Sequence, residues 1–408
     1  MRAFWIVILA LLAGTSVVRA QEPLIDGAAA PLLEGRAVPA DTRIWGRTEY
    51  LLWWIKPDKT PVPLMTTGPA GTPRAGALGQ PGSRYLDDDT LDYRQNSGGR
   101  FFLGMWLDRA QTVGVEISGF CLETHTLHFQ LDSGRDGAPT IARPFFNTLT
   151  GQEDAQIISS PGDNPAGKYF GGMDIFGDSR TWGGEVNALT PAWLTSSSRW
   201  NLIGGFRYLG QKDQLRFTGS STILTAGNVG FGGAPAPAPD IVSYRDYLET
   251  LNHFYGGQIG AQGFFQFGRL RLDLTSKTGI GSTEQHLSVS GRTLLTDSSG
   301  KSQVLPGGLY ALPSNIRDFQ QYQFSWIAEV GVRLGFQVTR WCRAEAGYSF
   351  LYWADVVRPG GQIDRNLDPR QIPSNLAYTP GTFAAPRRLF EATDFWAHGL
   401  TLGLAFQY

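Results

Sequence analysis

Gly162-Asp163-Asn164-Pro165-Ala166-Gly167-Lys168 has the G-x-x-x-x-G-K spacing with which backbone amides and a lysine cradle nucleotide phosphates. Tyr169 stands where the Mg²⁺-binding hydroxyl belongs, and neither a buried strand before the motif nor a helix after it is predicted, so we read a loop. Asp87-Asp88-Asp89 could present clustered carboxylates to a hard cation, but without the alternating spacing of a calcium loop the run reads as solvated charge. His125 and His128 are three apart on an expected strand, hence on opposite faces and poorly placed to share a metal. A hydrolase of the Ser/His or Asp/His kind could use His125, His128 or His286, yet no Ser or Asp beside them forms a recognisable motif. His253 and His398 fall on apolar strand faces. Cys121 and Cys342 lie near opposite ends of their strands, a poor arrangement for a bridge. No catalytic, cofactor-binding or metal site is expected.

The elements that carry these residues follow from composition and period. Of 408 residues 51 are glycine, 17% are charged and 12% aromatic, with a net charge of −1. High aromatic content with little net charge excludes disorder, and the charge balance excludes a basic nucleic-acid binder. The mean hydropathy is −0.17, and after the first 20 residues no apolar run approaches the 18 or so of a membrane helix. At the N-terminus, Arg2, the apolar stretch Ala3–Ala13 and Val18-Arg19-Ala20 form a basic region, an apolar region and a small-residue cleavage site. We therefore expect a signal peptide over 1–20, a flexible Ala/Pro/Gly-rich periplasmic segment over 21–43 and one structural unit over 44–408.

That unit alternates with period two. Tyr322, Phe324, Trp326, Val330, Val332, Leu334, Phe336 and Val338 share one parity, and Gln321, Gln323, Ser325, Glu329, Gly331, Arg333, Gly335 and Gln337 the other, with Ile327 intruding. Strands are expected near 44–55, 99–108, 111–123, 181–190, 199–209, 248–266, 269–281, 321–337, 341–354 and 395–407. Short links (109–110, 191–198, 267–268 and 338–340) alternate with long ones (56–98, 124–180, 210–247, 282–320 and 355–394). This places every long loop at one end and every tight turn at the other, the layout of an antiparallel transmembrane β-barrel with extracellular loops and periplasmic turns. About ten strands are expected, or twelve if loop hairpins join the wall, and several could extend past the membrane, with Arg199–Thr218 read as one long strand that bends at Gly210. Trp200 and Tyr208, Trp341 and Tyr352, and Trp396 and Phe406 are spaced as two interfacial girdles. Leu404, Phe406 and Tyr408 end the last strand as a C-terminal assembly signal for the barrel-assembly machinery. A secreted β-sandwich would also alternate, but the order of links and the girdles favour outer-membrane lipid as the partner.

Trp45-Gly46-Arg47-Thr48-Glu49-Tyr50-Leu51-Leu52-Trp53-Trp54, Pro61-Val62-Pro63-Leu64, Gly98-Gly99-Arg100-Phe101, Gly104-Met105-Trp106-Leu107-Asp108 and Trp200-Asn201-Leu202-Ile203-Gly204-Gly205-Phe206-Arg207-Tyr208-Leu209 together resemble the putative β-barrel porin seven family of planctomycete outer-membrane proteins. The resemblance runs from about residue 44 to the C-terminus. It implies a barrel in the bacterial outer membrane; the porin role it implies rests on fold analogy.

Turning the polar parity inward predicts the lumen: Arg47, Glu49, Glu116, Glu185, Arg207, Arg269, Arg271, Asp273, Lys277, Glu329, Arg333, Arg343 and Glu345, seven basic and six acidic. Interleaved signs can neutralise one another where single buried charges would be costly. Two readings compete: a largely closed barrel plugged by charge pairs, and a narrow channel for small solutes. Ten strands exceed only slightly the eight whose interior side chains fill, which favours closure. An envelope or adhesion barrel acting through its long loops is the alternative, and a hydrolase at the outer rim a weaker one. Transported solute, loop ligands and oligomeric state are not readable from the sequence.

Overall fold

Strands with one apolar and one polar face must separate two environments, and this chain does so by closing a ring. The computed structural model describes residues 43–408 except 71, 73, 88 and 163–166, so the expected signal peptide and nearly all of the segment after it lie outside the described residues. Fourteen strands of five or more residues follow in order: β1 (Ile44–Ile55), β2 (Gln95–Trp106), β3 (Gly114–Leu122), β4 (His125–Asp132), β5 (Ile141–Asn147), β6 (Gln152–Pro161), β7 (Lys168–Leu194), β8 (Ser198–Thr225), β9 (Ile241–Phe267), β10 (Leu270–Thr296), β11 (Ser302–Pro306), β12 (Arg317–Gln337), β13 (Cys342–Val357) and β14 (Ala392–Gln407). Ten of them, β1-β2-β3-β7-β8-β9-β10-β12-β13-β14, pair antiparallel in sequence and β14 returns to β1. The closing register runs from Trp45 opposite Gln407 to Ile55 opposite Ala397. The ring thus has the expected ten strands.

Outward residues of the wall are apolar and uncovered by protein: Leu334 is 54% exposed, Ile259 73% and Leu402 58%. A contiguous band of this kind belongs in lipid. Aromatics bound the band above and below. At the outer edge Trp326 packs on Tyr352 with centroids 4.7 Å apart, Tyr208 stacks with His253, and Trp396 lies tilted against His398. At the turn end Trp200 meets Phe265, and Trp341 stacks on Phe406. The three girdle pairs read from the sequence occupy these two levels.

The wall is taller than expected. Strands β7 to β10 contain 27, 28, 27 and 27 residues, whereas crossing the hydrocarbon takes about 9–11. The segments 124–180, 210–247 and 282–320, expected as loops, are therefore largely strand. Above Tyr208 the outward residues become Lys212, Gln214, Arg216 and Thr218, while the inward ones, Gln211, Asp213, Leu215 and Phe217, are all fully buried. Alternation persists past the membrane because the outer face meets water and the inner face meets protein. Strand β4 continues the line of β3 against β7, and the β5–β6 hairpin folds inward. Segments 56–98 and 355–394, mostly irregular, also enter the mouth. Leu64, Tyr93, Phe145 and Ile363 from these insertions and Tyr310 from the β11–β12 link join Phe217, Tyr244 and Leu248 of the wall in one core. The extracellular end is a packed cap.

Candidate functional site

Along each membrane-spanning strand the inward positions pass through the same layers. On β1, rising from the turn end, they are Trp45, Arg47, Glu49, Leu51, Trp53 and Ile55. On β8 they are Arg199, Asn201, Ile203, Gly205, Arg207 and Leu209. The interior is thus a polar mouth, a charged layer and an apolar layer beneath the cap.

Two carboxylates organise the charged layer. Glu49 meets the Nε of Arg100 at 2.6 Å, of Arg333 at 2.7 Å and of Arg47 at 3.2 Å. Glu329 meets Arg207 at 2.6 Å, Arg100 at 3.0 Å and Lys277 at 3.6 Å. Glu185 adds the Lys277 ammonium and Arg207, and also accepts from Gln258 at 2.8 Å. Nearer the turn end, Arg343 pairs with Glu345 at 2.7 Å and Arg271 with Asp273 at 2.8 Å, while Glu116 accepts from the Trp45 indole at 2.8 Å. Twelve of the thirteen inward charges predicted from sequence therefore lie inside the ring. Arg269 is the exception: it sits in the Gly268-Arg269 turn and is exposed, because β10 begins only at Leu270.

Arg100 and Arg199 were missed, although Arg199 shares the parity of Arg207, already assigned inward on the same strand. Arg100 joins the two hubs directly. Its strand carries Phe102 on the same face, which hid the polar pattern. Phe102 has a reason to be there: the guanidiniums of Arg47, Arg100 and Arg333 lie 4.0, 5.3 and 5.7 Å from its ring centroid, and the ring faces partly compensate buried cations. Gly104 admits the neighbouring Trp45, since a Cβ there would fall 2.2 Å from the indole.

Above the charges Leu51, Trp53, Leu122, Leu209, Phe254, Ile327, Leu351, Trp353 and Phe395 form a continuous apolar layer. Ile327, the intruder in the β12 pattern, is part of it and 1% exposed. Trp353 donates to Thr283 at 3.1 Å and packs edge-on against Phe254 and Phe395. Between Arg100, Phe102, Phe120, Glu185, Arg207 and Glu329 remains a void of about 10 Å³, roughly the space of one water molecule.

The cap is latched by two further charge clusters that sequence reasoning did not find. Arg358 donates from Nε to Asp213 at 3.1 Å and from Nη1 to the Lys56 carbonyl at 2.5 Å. Asp58, beside it, accepts from the Gly360 amide at 2.7 Å. Burial dominates over Arg358 and pushes the Asp58 carboxyl up to about 6, whereas Asp213 and Asp58 hold Arg358 above its ordinary range despite burial. Arg143 of β5, fully buried, donates to Asp246 of β9 at 2.8 Å, and Asp246 also accepts from the amides of Leu309 and Ala311, each at 2.9 Å. These pairs are contributed by inserts far apart in sequence, so no local spacing announces them.

The G-x-x-x-x-G-K segment, the Asp87–Asp89 run and the histidines lie elsewhere. Gly162 and Lys168 flank the β6–β7 link, residues 163–166 lie outside the described residues, and a strand follows, not a helix. Asp87 accepts from the amides of Leu64 and Met65, and Asp88 lies outside the described residues. His128, on the opposite face of β4 from His125, meets Asp174 at 3.1 Å on the outside of the wall, and His286 meets Glu284 at 3.0 Å. Among the described residues no His, Cys, Asp and Glu cluster could hold a metal, both cysteines are free, and no helix is long and apolar enough to cross a membrane.

A closed antiparallel ring with a lipid-facing apolar band, two aromatic girdles and a charged interior defines a bacterial outer-membrane β-barrel protein. The chain belongs to the family described as putative beta barrel porin-7, whose model matches residues 45–408. No curated protein matches it. Similar solved structures include the outer membrane protease OmpT from Escherichia coli (10% identity, 90% of this chain and 97% of that one, TM-score 0.42). A major outer membrane protein from Thermus thermophilus is similar at 10% identity over 90% of this chain and all of its own (TM-score 0.23). A Pseudomonas aeruginosa FadL homologue is similar at 10% over 91% and 95% (TM-score 0.21).

Proposed function

We propose that this porin-family barrel is closed, and that it serves the envelope through its folded extracellular cap instead of through an open pore. The observation that carries the reading is the filled interior. A solute entering from the periplasm meets the Glu49–Arg100–Glu329 network, then the Trp53–Trp353 layer, then the cap. Breaking one partner of a buried ion pair costs about 3–5 kcal/mol, so passage through the charged layer opposes a substantial barrier. The narrow-channel reading needs both layers to move together. No catalytic role is assigned: the Asp174–His128 and Glu284–His286 pairs lie on the outside of the wall, with no nucleophile joined to either histidine. Outer-membrane lipid surrounds the band, and the strand ending in Leu404, Phe406 and Tyr408 is offered as the assembly signal for the barrel-assembly machinery. Liposome swelling tests the closure. Vesicles holding the folded protein should swell no faster in small sugars or amino acids than empty ones, and solute-dependent swelling would return the narrow channel.

A further inference from the structure

We propose that the periplasmic mouth of this barrel is a binding site for a small oxyanion, a phosphate or a carboxylate. A cavity of about 100 Å³ lies there, walled by Trp45, Trp106 and Phe264 and by the guanidiniums of Arg47, Arg199, Arg271, Arg333 and Arg343. Among the described residues only two carboxylates, Glu116 and Asp273, share its lining. Even when Glu49 and Glu345 are counted behind it, five cations face four anions. Across the whole membrane-spanning interior, eight basic side chains (Arg100 and Arg199 included, Arg269 excluded) stand against six acidic ones. The excess is positive in the mouth as in the whole interior, and in the lining of the cavity itself it is five guanidiniums against two carboxylates.

Arg199 is the decisive residue. It is 5% exposed, and among the described residues no carboxylate lies within ion-pair distance. Its partners are neutral: Asn201 Oδ1 at 3.0 Å, Gln111 Oε1 at 2.6 Å and the Gln111 carbonyl at 3.2 Å, with the Trp106 ring 4.2 Å away. A buried charge without a counter-charge is costly, and a bound anion removes that cost. Donors are available to hold one. Arg271 uses Nε and Nη2 on Asp273, and Arg343 uses Nε and Nη2 on Glu345. Among the described residues, Nη1 of each makes no hydrogen bond. Planar guanidiniums with free edges suit the geometry of phosphate and carboxylate oxygens. Drug-sized ligands occupy roughly 300–1,000 Å³, so this smaller cavity selects a compact ion.

The protein folded in micelles is titrated with sodium phosphate and, separately, sodium acetate, with sodium chloride holding ionic strength constant. Heat release and tryptophan emission from Trp45 and Trp106 are recorded. Saturable binding of either ion is expected, weakened at least tenfold in Arg199→Gln and in Arg343→Gln. Arg216→Gln, on the water-facing outside of β8, should bind as the unsubstituted protein does. A response to phosphate alone assigns a phosphate, and one to acetate alone a carboxylate. Heat-modifiable gel migration verifies folding, and Arg271→Gln replaces any variant that lacks it. No saturable binding of either ion, or equal affinity in the folded Arg199→Gln and Arg343→Gln variants, overturns the proposal. None of these outcomes depends on conductance, so the site and the closed-barrel reading fail separately.

Discussion

Glu329→Gln is the sharpest perturbation of the charged layer, because it removes one charge while keeping the shape of the side chain. Glu329 is 7% exposed and gathers Arg207 at 2.6 Å, Arg100 at 3.0 Å and Lys277 at 3.6 Å. The variant leaves three cations with fewer carboxylates among them. Uncompensated buried partners cost about 3–5 kcal/mol. Arg100 keeps Glu49 at 2.6 Å, and Arg207 and Lys277 keep Glu185, so the lower end, about 3 kcal/mol, is expected. Urea unfolding in lipid vesicles, followed by tryptophan emission, measures it. With a slope of roughly 1–3 kcal/mol per molar urea, the midpoint should fall by about 1 M or more. Adding Lys277→Met to Glu329→Gln removes one stranded cation and should recover part of the loss, a coupling that a double-mutant cycle isolates. A loss below about 1 kcal/mol at unchanged slope would refute the idea that this network is a stability-bearing plug.

Other substitutions address the layers above. Trp353→Ala opens a cavity in the apolar layer and should cost about 3–5 kcal/mol by the same urea assay. Asp246→Ala strands the buried Arg143 and two backbone amides, and should release the β5–β6 hairpin to protease before the barrel itself is cut. The Asp58 carboxyl gives a pH signature with a definite sign. Its folded pKa of about 6 lies above the ordinary value of 3.8, so the unfolded chain ionises first. Its contribution to stability is therefore fully present below about pH 4 and is lost as pH rises to about 6, by about 3 kcal/mol for two units. Asp58→Asn, which keeps an acceptor for the Gly360 amide, should flatten that part of the stability profile between pH 4 and 6. An unchanged profile counts against the latch.

Period-two patterning made the ring legible, because each membrane strand meets lipid on one side and charge on the other. The order of short and long links placed the turns at one end and supported ten strands. It also made the charged interior readable by parity, from Arg47 and Glu49 on β1 to Glu329 and Arg333 on β12. Two kinds of feature were hidden. Arg100 was obscured by Phe102, whose apolar ring has a place among guanidiniums and so breaks the simple polar rule. The wall beyond the membrane was legible only in part, through Arg199–Thr218 as one long strand; its full height and its cap were hidden because the outer face turns polar above the girdle, a change that reads as loop elsewhere. The Arg358–Asp213 and Arg143–Asp246 pairs join segments 145 and 103 residues apart, and no local spacing encodes such long-range contacts.

Single-channel recording in a planar bilayer tests the closed barrel most directly. The folded protein should insert without discrete conductance at moderate voltage, while the Glu329→Gln and Trp353→Ala double variant should show intermittent openings favouring anions, because the interior excess of positive charge remains. Stable, discrete conductance steps from the unsubstituted protein would contradict the account.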